Sequence, residues 1–85
     1  MSETLRIDKL LWYLRFAKSR SVAQGMAEAG HIRLNGRRID KASCAVRVGD
    51  ILTLQVQGEV RAARITALPI RRGPASEAAE CWELA

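Results

Sequence analysis

The hydrophobic period of this chain changes once, at Gly30, and that change limits the folds open to it. Upstream, Ile7, Leu10, Leu11 and Leu14 recur at i, i+3, i+4 and i+7, which predicts an amphipathic helix over about residues 8–17. Asp8 is its expected N-cap. Ser19 or Ser21 is placed to cap a second helix running through Ala29, with Val22, Ala23, Met26 and Ala27 facing inward. Gly30 is then a natural C′ stop. Gly25, inside that helix, should weaken it by ~1 kcal/mol relative to alanine, and nothing in the sequence explains it. Downstream the period is two. "HIRLNGRRI" turns Ile32 and Leu34 inward and His31 and Arg33 outward, and Asn35-Gly36 has the chemistry of a two-residue type I′ turn.

Beyond the hairpin, "KASCAVRVGD" reads as an irregular link ending in a Val48-Gly49-Asp50 turn. "ILTLQV" and "EVRAARITAL" read as antiparallel strands joined at Gln57-Gly58. Pro69, Gly73 and Pro74 open a loop, and "ASEAAECWELA" has the composition of a short terminal helix with Trp82 and Leu84 free to dock. The expected class is α+β: two N-terminal helices packed on a small, mostly antiparallel sheet, with a short C-terminal helix. The expected division is a binding domain over 1–68, then a loop and short helix over 69–85.

Several functions are disfavoured at once. Eighty-five residues leave no room for a catalytic domain beside a binding domain. No acid pair, nucleophile motif or phosphate-binding glycine loop is present, so no enzyme activity, small-molecule substrate or cofactor is expected. Cys44 and Cys81 are far apart and read as free thiols, and a single His31 makes a metal site improbable on ligand count. No apolar run approaches the ~18 residues of a membrane span. The start lacks the order of a signal peptide, so the expected compartment is the cytoplasm.

The distribution of charge says more than its sum of +5. Residues 1–41 hold nine cations (Arg6, Lys9, Arg15, Lys18, Arg20, Arg33, Arg37, Arg38 and Lys41) against four acids. Residues 42–85 hold five arginines against five acids. All the excess therefore lies in the N-terminal half, which points to a polyanionic partner on one face. Arg15, Lys18 and Arg20 bracket the helix junction, and Arg33, Arg37 and Arg38 decorate the hairpin. Two other readings stay open: a targeting module of a larger enzyme, or a protein-interaction adaptor using the helix-one aromatics.

The order of residues also resembles a known family. "RIDKLLWYLRFAKSRSVAQGMAEAGHIRLNG", followed by "VGDILTL", is similar to the RNA-binding domain named after ribosomal small-subunit protein S-four. Arg6, Ile7, Asp8, Lys9, Ser19, Arg20, Ala23, Gly30, Ile32, Leu34, Asn35, Gly36, Gly49 and Asp50 fall in the family's order. "DKLLWYLRFAKSRS" and "RRGPASEAA" further resemble the ribosome-associated heat shock protein 15 group. That resemblance implies a stand-alone domain that binds structured ribosomal RNA, on large subunits stalled with a nascent chain and tRNA; a monomer is expected. It also implies a charged C-terminal extension, which these 85 residues do not include. By matching position it assigns Arg6, Lys9, Arg20 and the Asn35-Gly36 turn to the binding surface; Arg15, Lys18, Arg33, Arg37, Arg38 and Lys41 join them on charge. Asp8 and Ser19 are read as helix caps first. Trp12, Tyr13 and Phe16 are read as packing first, ahead of stacking on bases.

Overall fold

In a computed structural model, which describes residues 3–56 and 58–85, the apolar stripe of the first helix becomes the centre of the core. Ile7, Leu10, Leu11 and Leu14 are all buried. The chain runs β1 (Leu5–Arg6), α1 (Ile7–Tyr13), α2 (Arg20–Glu28), β2 (Ile32–Leu34), β3 (Arg37–Ile39), β4 (Ala45–Val46), β5 (Ile51–Val56), β6 (Glu59–Ile65), α3 (Ala75–Ala79) and β7 (Trp82–Leu84). Five strands form one antiparallel sheet in the order β3-β2-β5-β6-β7, and β1 pairs with β4 as a separate ribbon. Helices α1 and α2 share a core with Ile32, Leu52, Leu54 and Ile65, so they cover one face of the five-stranded sheet. Each of these wholly buried side chains contributes about 1.5–3 kcal/mol relative to exposure. This is the α+β arrangement expected.

Helix α1 is shorter than the 8–17 expected. It begins one residue earlier, because the N–H groups of Ile7 and Asp8 donate to the Cys44 and Ala42 carbonyls at 2.8 and 3.2 Å. With those donors satisfied by backbone, Arg6 occupies the N-cap position and Asp8 is not a cap. The helix ends early because Arg15 turns left-handed at φ +64. The Arg15 N–H donates to Trp12 O and the Phe16 N–H to Leu11 O, the paired bonds of a Schellman stop. That position favours glycine, so an arginine there hides the stop from sequence reading.

Helix α2 follows expectation. The Ser19 hydroxyl accepts from the Val22 N–H at 3.1 Å, and Gly30 leaves the helix at φ +78. Ala23 and Ala27 are buried and Met26 packs against the core, but Val22 is exposed, contrary to expectation. The hairpin pairs Leu34 with Arg37 across Asn35 (φ +52) and Gly36 (φ +83), both positive as a type I′ turn requires.

The link after the hairpin is not wholly irregular, since Ala45 and Val46 pair with Arg6 and Leu5. The Val48-Gly49-Asp50 turn forms, with the Asp50 N–H donating to Arg47 O at 3.1 Å. In the expected Gln57-Gly58 turn, Gln57 lies outside the described residues. The terminal helix stops at Ala79, and "WEL" instead adds a strand to the free edge of β6, with Ile65 opposite Trp82. Trp82 docks edge-on against Phe16, ring centroids 5.1 Å apart, whereas Leu84 stays exposed.

Candidate nucleic-acid interface

The start of α1 and the start of α2 meet over one carboxylate. Asp8 is wholly buried. Its Oδ1 accepts from Arg6 Nε at 3.1 Å and from the Lys9 N–H at 2.8 Å, and its Oδ2 accepts from Arg6 Nη2 at 3.0 Å and Gln24 Nε2 at 3.4 Å. Arg20 Nη2 lies 3.6 Å from the same Oδ2. Burial pushes the Asp8 carboxyl up, but the Arg6 hydrogen bonds, the Lys9 N–H, the Gln24 amide and the Arg6 charge outweigh it and hold it below the ordinary carboxylate value. The acid fixes the Nε edge of Arg6 and draws Arg20 alongside. It leaves the Nη1 edge of Arg6 for an outside acceptor, and each arginine side chain stays a little under half exposed. Two guanidiniums on one carboxylate leave a local positive excess, the complement of a phosphate.

The remaining candidates fall in different places. Arg15 Nε donates to the Gly73 carbonyl at 2.8 Å, so this arginine ties the end of α1 to the loop before α3. Asn35 is spent on the fold: its Nδ2 donates to Asp50 Oδ1 at 3.0 Å and its Oδ1 accepts from the Ile51 N–H at 2.9 Å. Asp50 Oδ2 also accepts from the Arg47 N–H, so the Asn-Gly and Gly-Asp motifs form one unit that seats the hairpin on β5. Arg33 and Arg38 sit opposite one another on β2 and β3. Lys18, Arg37 and Lys41 are exposed.

Among the described residues the ion pairs repeat the asymmetry of the sequence. In the first 41 residues Arg6 and Arg20 share Asp8, and the other seven cations pair with no carboxylate. In the rest, Arg61, Arg64 and Arg71 are paired with Glu59, Glu83 and Glu77. Sequence reading missed the gathering role of Asp8, and missed Gln24 altogether. The available signal was its position four residues after Arg20, hence on the same helix face. Trp12 and Phe16 pack against the core, and Tyr13 lies tilted against Trp12 at 5.7 Å. Cys44 and Cys81 are free thiols. No helix among the described residues is long and apolar enough to cross a membrane.

Arg6, Asp8, Lys9 and Arg20 of the helix junction, and Asn35, Gly36 and Asp50 of the locked hairpin, are among the residues by which the sequence resembles the S-four domain. Residues 5–52 match the model of the S4 domain, and the chain belongs to the S4 domain family. Within that family it falls in the heat shock protein 15 group. It is 40% identical to Heat shock protein 15 of Escherichia coli over 79 residues, 93% of this chain and 59% of that protein. The solved trimeric structure of Vibrio cholerae Heat Shock Protein 15 superposes with a TM-score of 0.90 at 35% identity, covering 98% of this chain and 83% of that one. Small ribosomal subunit protein uS4 of Kosmotoga olearia is 36% identical over 56 residues, 66% of this chain and 27% of that protein. The chain thus spans about three fifths of the length of the curated heat shock protein 15 it matches.

Proposed function

We propose that this chain is a non-catalytic RNA-binding protein of the cytoplasm that grips structured ribosomal RNA through the cations of its N-terminal half. The observation that carries the reading is the one-sided ion pairing: seven cations before residue 42 find no carboxylate partner among the described residues, while most of those after it do. Arg6, Lys9 and Arg20 form the primary grip, with Arg15, Lys18, Arg33, Arg37, Arg38 and Lys41 as the wider surface and Asn35 serving it by holding the hairpin in place. A-form RNA hides its major groove from side chains, so these groups contact phosphates and 2′-hydroxyls and read sequence weakly. No chemical step is involved.

The proposed physiological target is the large ribosomal subunit carrying a stalled nascent chain and tRNA, supported by the similarity to heat shock protein 15. The single chain is taken as the binding unit. Co-sedimentation with purified large subunits tests this: the protein should travel with the subunit at about 50 mM salt and leave it by several hundred millimolar. Arg20→Glu should weaken binding to unrelated structured RNAs about equally. Retention at high salt, undiminished by that substitution, would instead mark a protein-interaction adaptor.

A further inference from the structure

The two ends of α2 carry different cation groups. At its start Arg20 joins Arg6 on Asp8; at its end the Arg38 guanidinium lies against Gly30, where an added Cβ would come within 2.5–2.9 Å of Nη2, Nε and Cζ. Arg20 and Gly30 flank the nine-residue helix, which spans roughly 13 Å at 1.5 Å per residue. The sheet divides the groups as well. Ile32, Leu52, Leu54 and Ile65 face the helices, so strand alternation turns Arg33, Thr53 and Gln55 to the opposite face.

On that face Arg33 and Arg38 are direct cross-strand partners. Leu34 and Arg37 close the two-residue turn as the hydrogen-bonded pair, which makes Arg33 and Arg38 the non-bonded pair, where side chains approach most closely. In the structure the two guanidiniums splay apart: Arg33 Nη1 donates to the Gly36 carbonyl at 3.5 Å, while the Arg38 guanidinium lies against Gly30. Among the described residues neither arginine pairs with a carboxylate, including Asp40 two positions past Arg38. Gly30, with no side chain, leaves the Arg38 guanidinium its seat. The two arginines line a cleft of about 480 Å³ with His31, Thr53, Gln55 and Val60, and among the described residues no acidic side chain lines it. Two guanidiniums without a counter-ion on one cleft, beside hydroxyl and amide donors, complement an anion with several acceptor oxygens.

We propose that this cleft is a second phosphate site, which takes the phosphodiester backbone of an RNA segment other than the one held at Asp8. The domain is then gripped by RNA on both sides of its sheet. This rests on the RNA-binding reading above and deepens it.

The test uses the full chain, a fluorescein-labelled RNA hairpin and salt from about 50 to 300 mM. Wild-type protein that fails to bind would overturn the RNA-binding reading, and this one with it. Given wild-type binding, R33Q/R38Q should flatten the slope of log affinity against log salt by about 1.4–1.8, two contacts at 0.7–0.9 each. An unchanged slope overturns the second site. Separateness is read from amide NMR shifts on adding a uridine decamer. With R20Q the shifts over 30–38 and 53–55 should persist, and with R33Q/R38Q those over 6–9 should persist. Loss of both sets in either variant would mean one continuous site and defeat the proposal.

Discussion

Asp8→Asn removes the charge around which the primary grip is built while keeping the side chain's shape. The carboxylate is wholly buried and accepts from Arg6 at 3.1 and 3.0 Å, the Lys9 N–H at 2.8 Å and Gln24 at 3.4 Å, with Arg20 at 3.6 Å. An amide there turns N–H groups toward at least one of these donors. Deleting one partner of a wholly buried ion pair costs about 3–5 kcal/mol. Here the Arg6 and Arg20 side chains are 46% and 41% exposed and can rehydrate, which lowers the expected loss to about 1–2 kcal/mol. At about 4–8 °C per kcal/mol for a domain this small, Tm should fall by roughly 4–16 °C at pH 7, followed by far-UV circular dichroism. The pH dependence has a definite sign. The Asp8 pKa is held below its ordinary 3.8, so its stabilisation is present above that value and fades as pH falls through the folded pKa. The wild-type and Asp8→Asn curves should therefore stand apart at pH 5–7 and converge below about pH 3.8. A variant as stable as wild type at pH 7, or a gap that widens on acidification, would refute the assignment.

Two further substitutions test the frame. Asn35→Ala loses its bonds to Asp50 and Ile51 and a residue tolerant of φ +52, so the urea midpoint should fall by an amount equivalent to about 2 kcal/mol with m unchanged. Gly25→Ala meets nothing within 4 Å in an ordinary helical conformation, and should raise stability by about 0.5–1 kcal/mol in the same titration without altering RNA affinity.

What could be read in advance was local. Asn35-Gly36 carries its own turn chemistry, Ser19 its own cap and Gly30 its own stop, and each stands where its residue type places it. The elements that escaped depend on partners distant in the chain. The end of α1 is held by an arginine in a glycine's conformation, whose side chain reaches Gly73. Strands β1 and β4 are two residues each and exist only through one another. "WEL" continues a helical composition but gains more from the open edge of β6 than from one further turn. The candidate site divides the same way. Its charge excess was legible from composition, and so were most of its cations. Their arrangement was not, because Asp8 is drawn from the capping role by the Ala42 and Cys44 carbonyls, and strand alternation sends Arg33 away from the helices.

The claim at the centre of this account is that the cations of the N-terminal half hold RNA by its phosphates, and the salt dependence of RNA affinity measures that directly. With about six contacts, log affinity should fall linearly with log salt at a slope near −4 to −5, a loss of roughly 10²–10³ between 50 and 200 mM. Binding whose strength does not change over that range would contradict it.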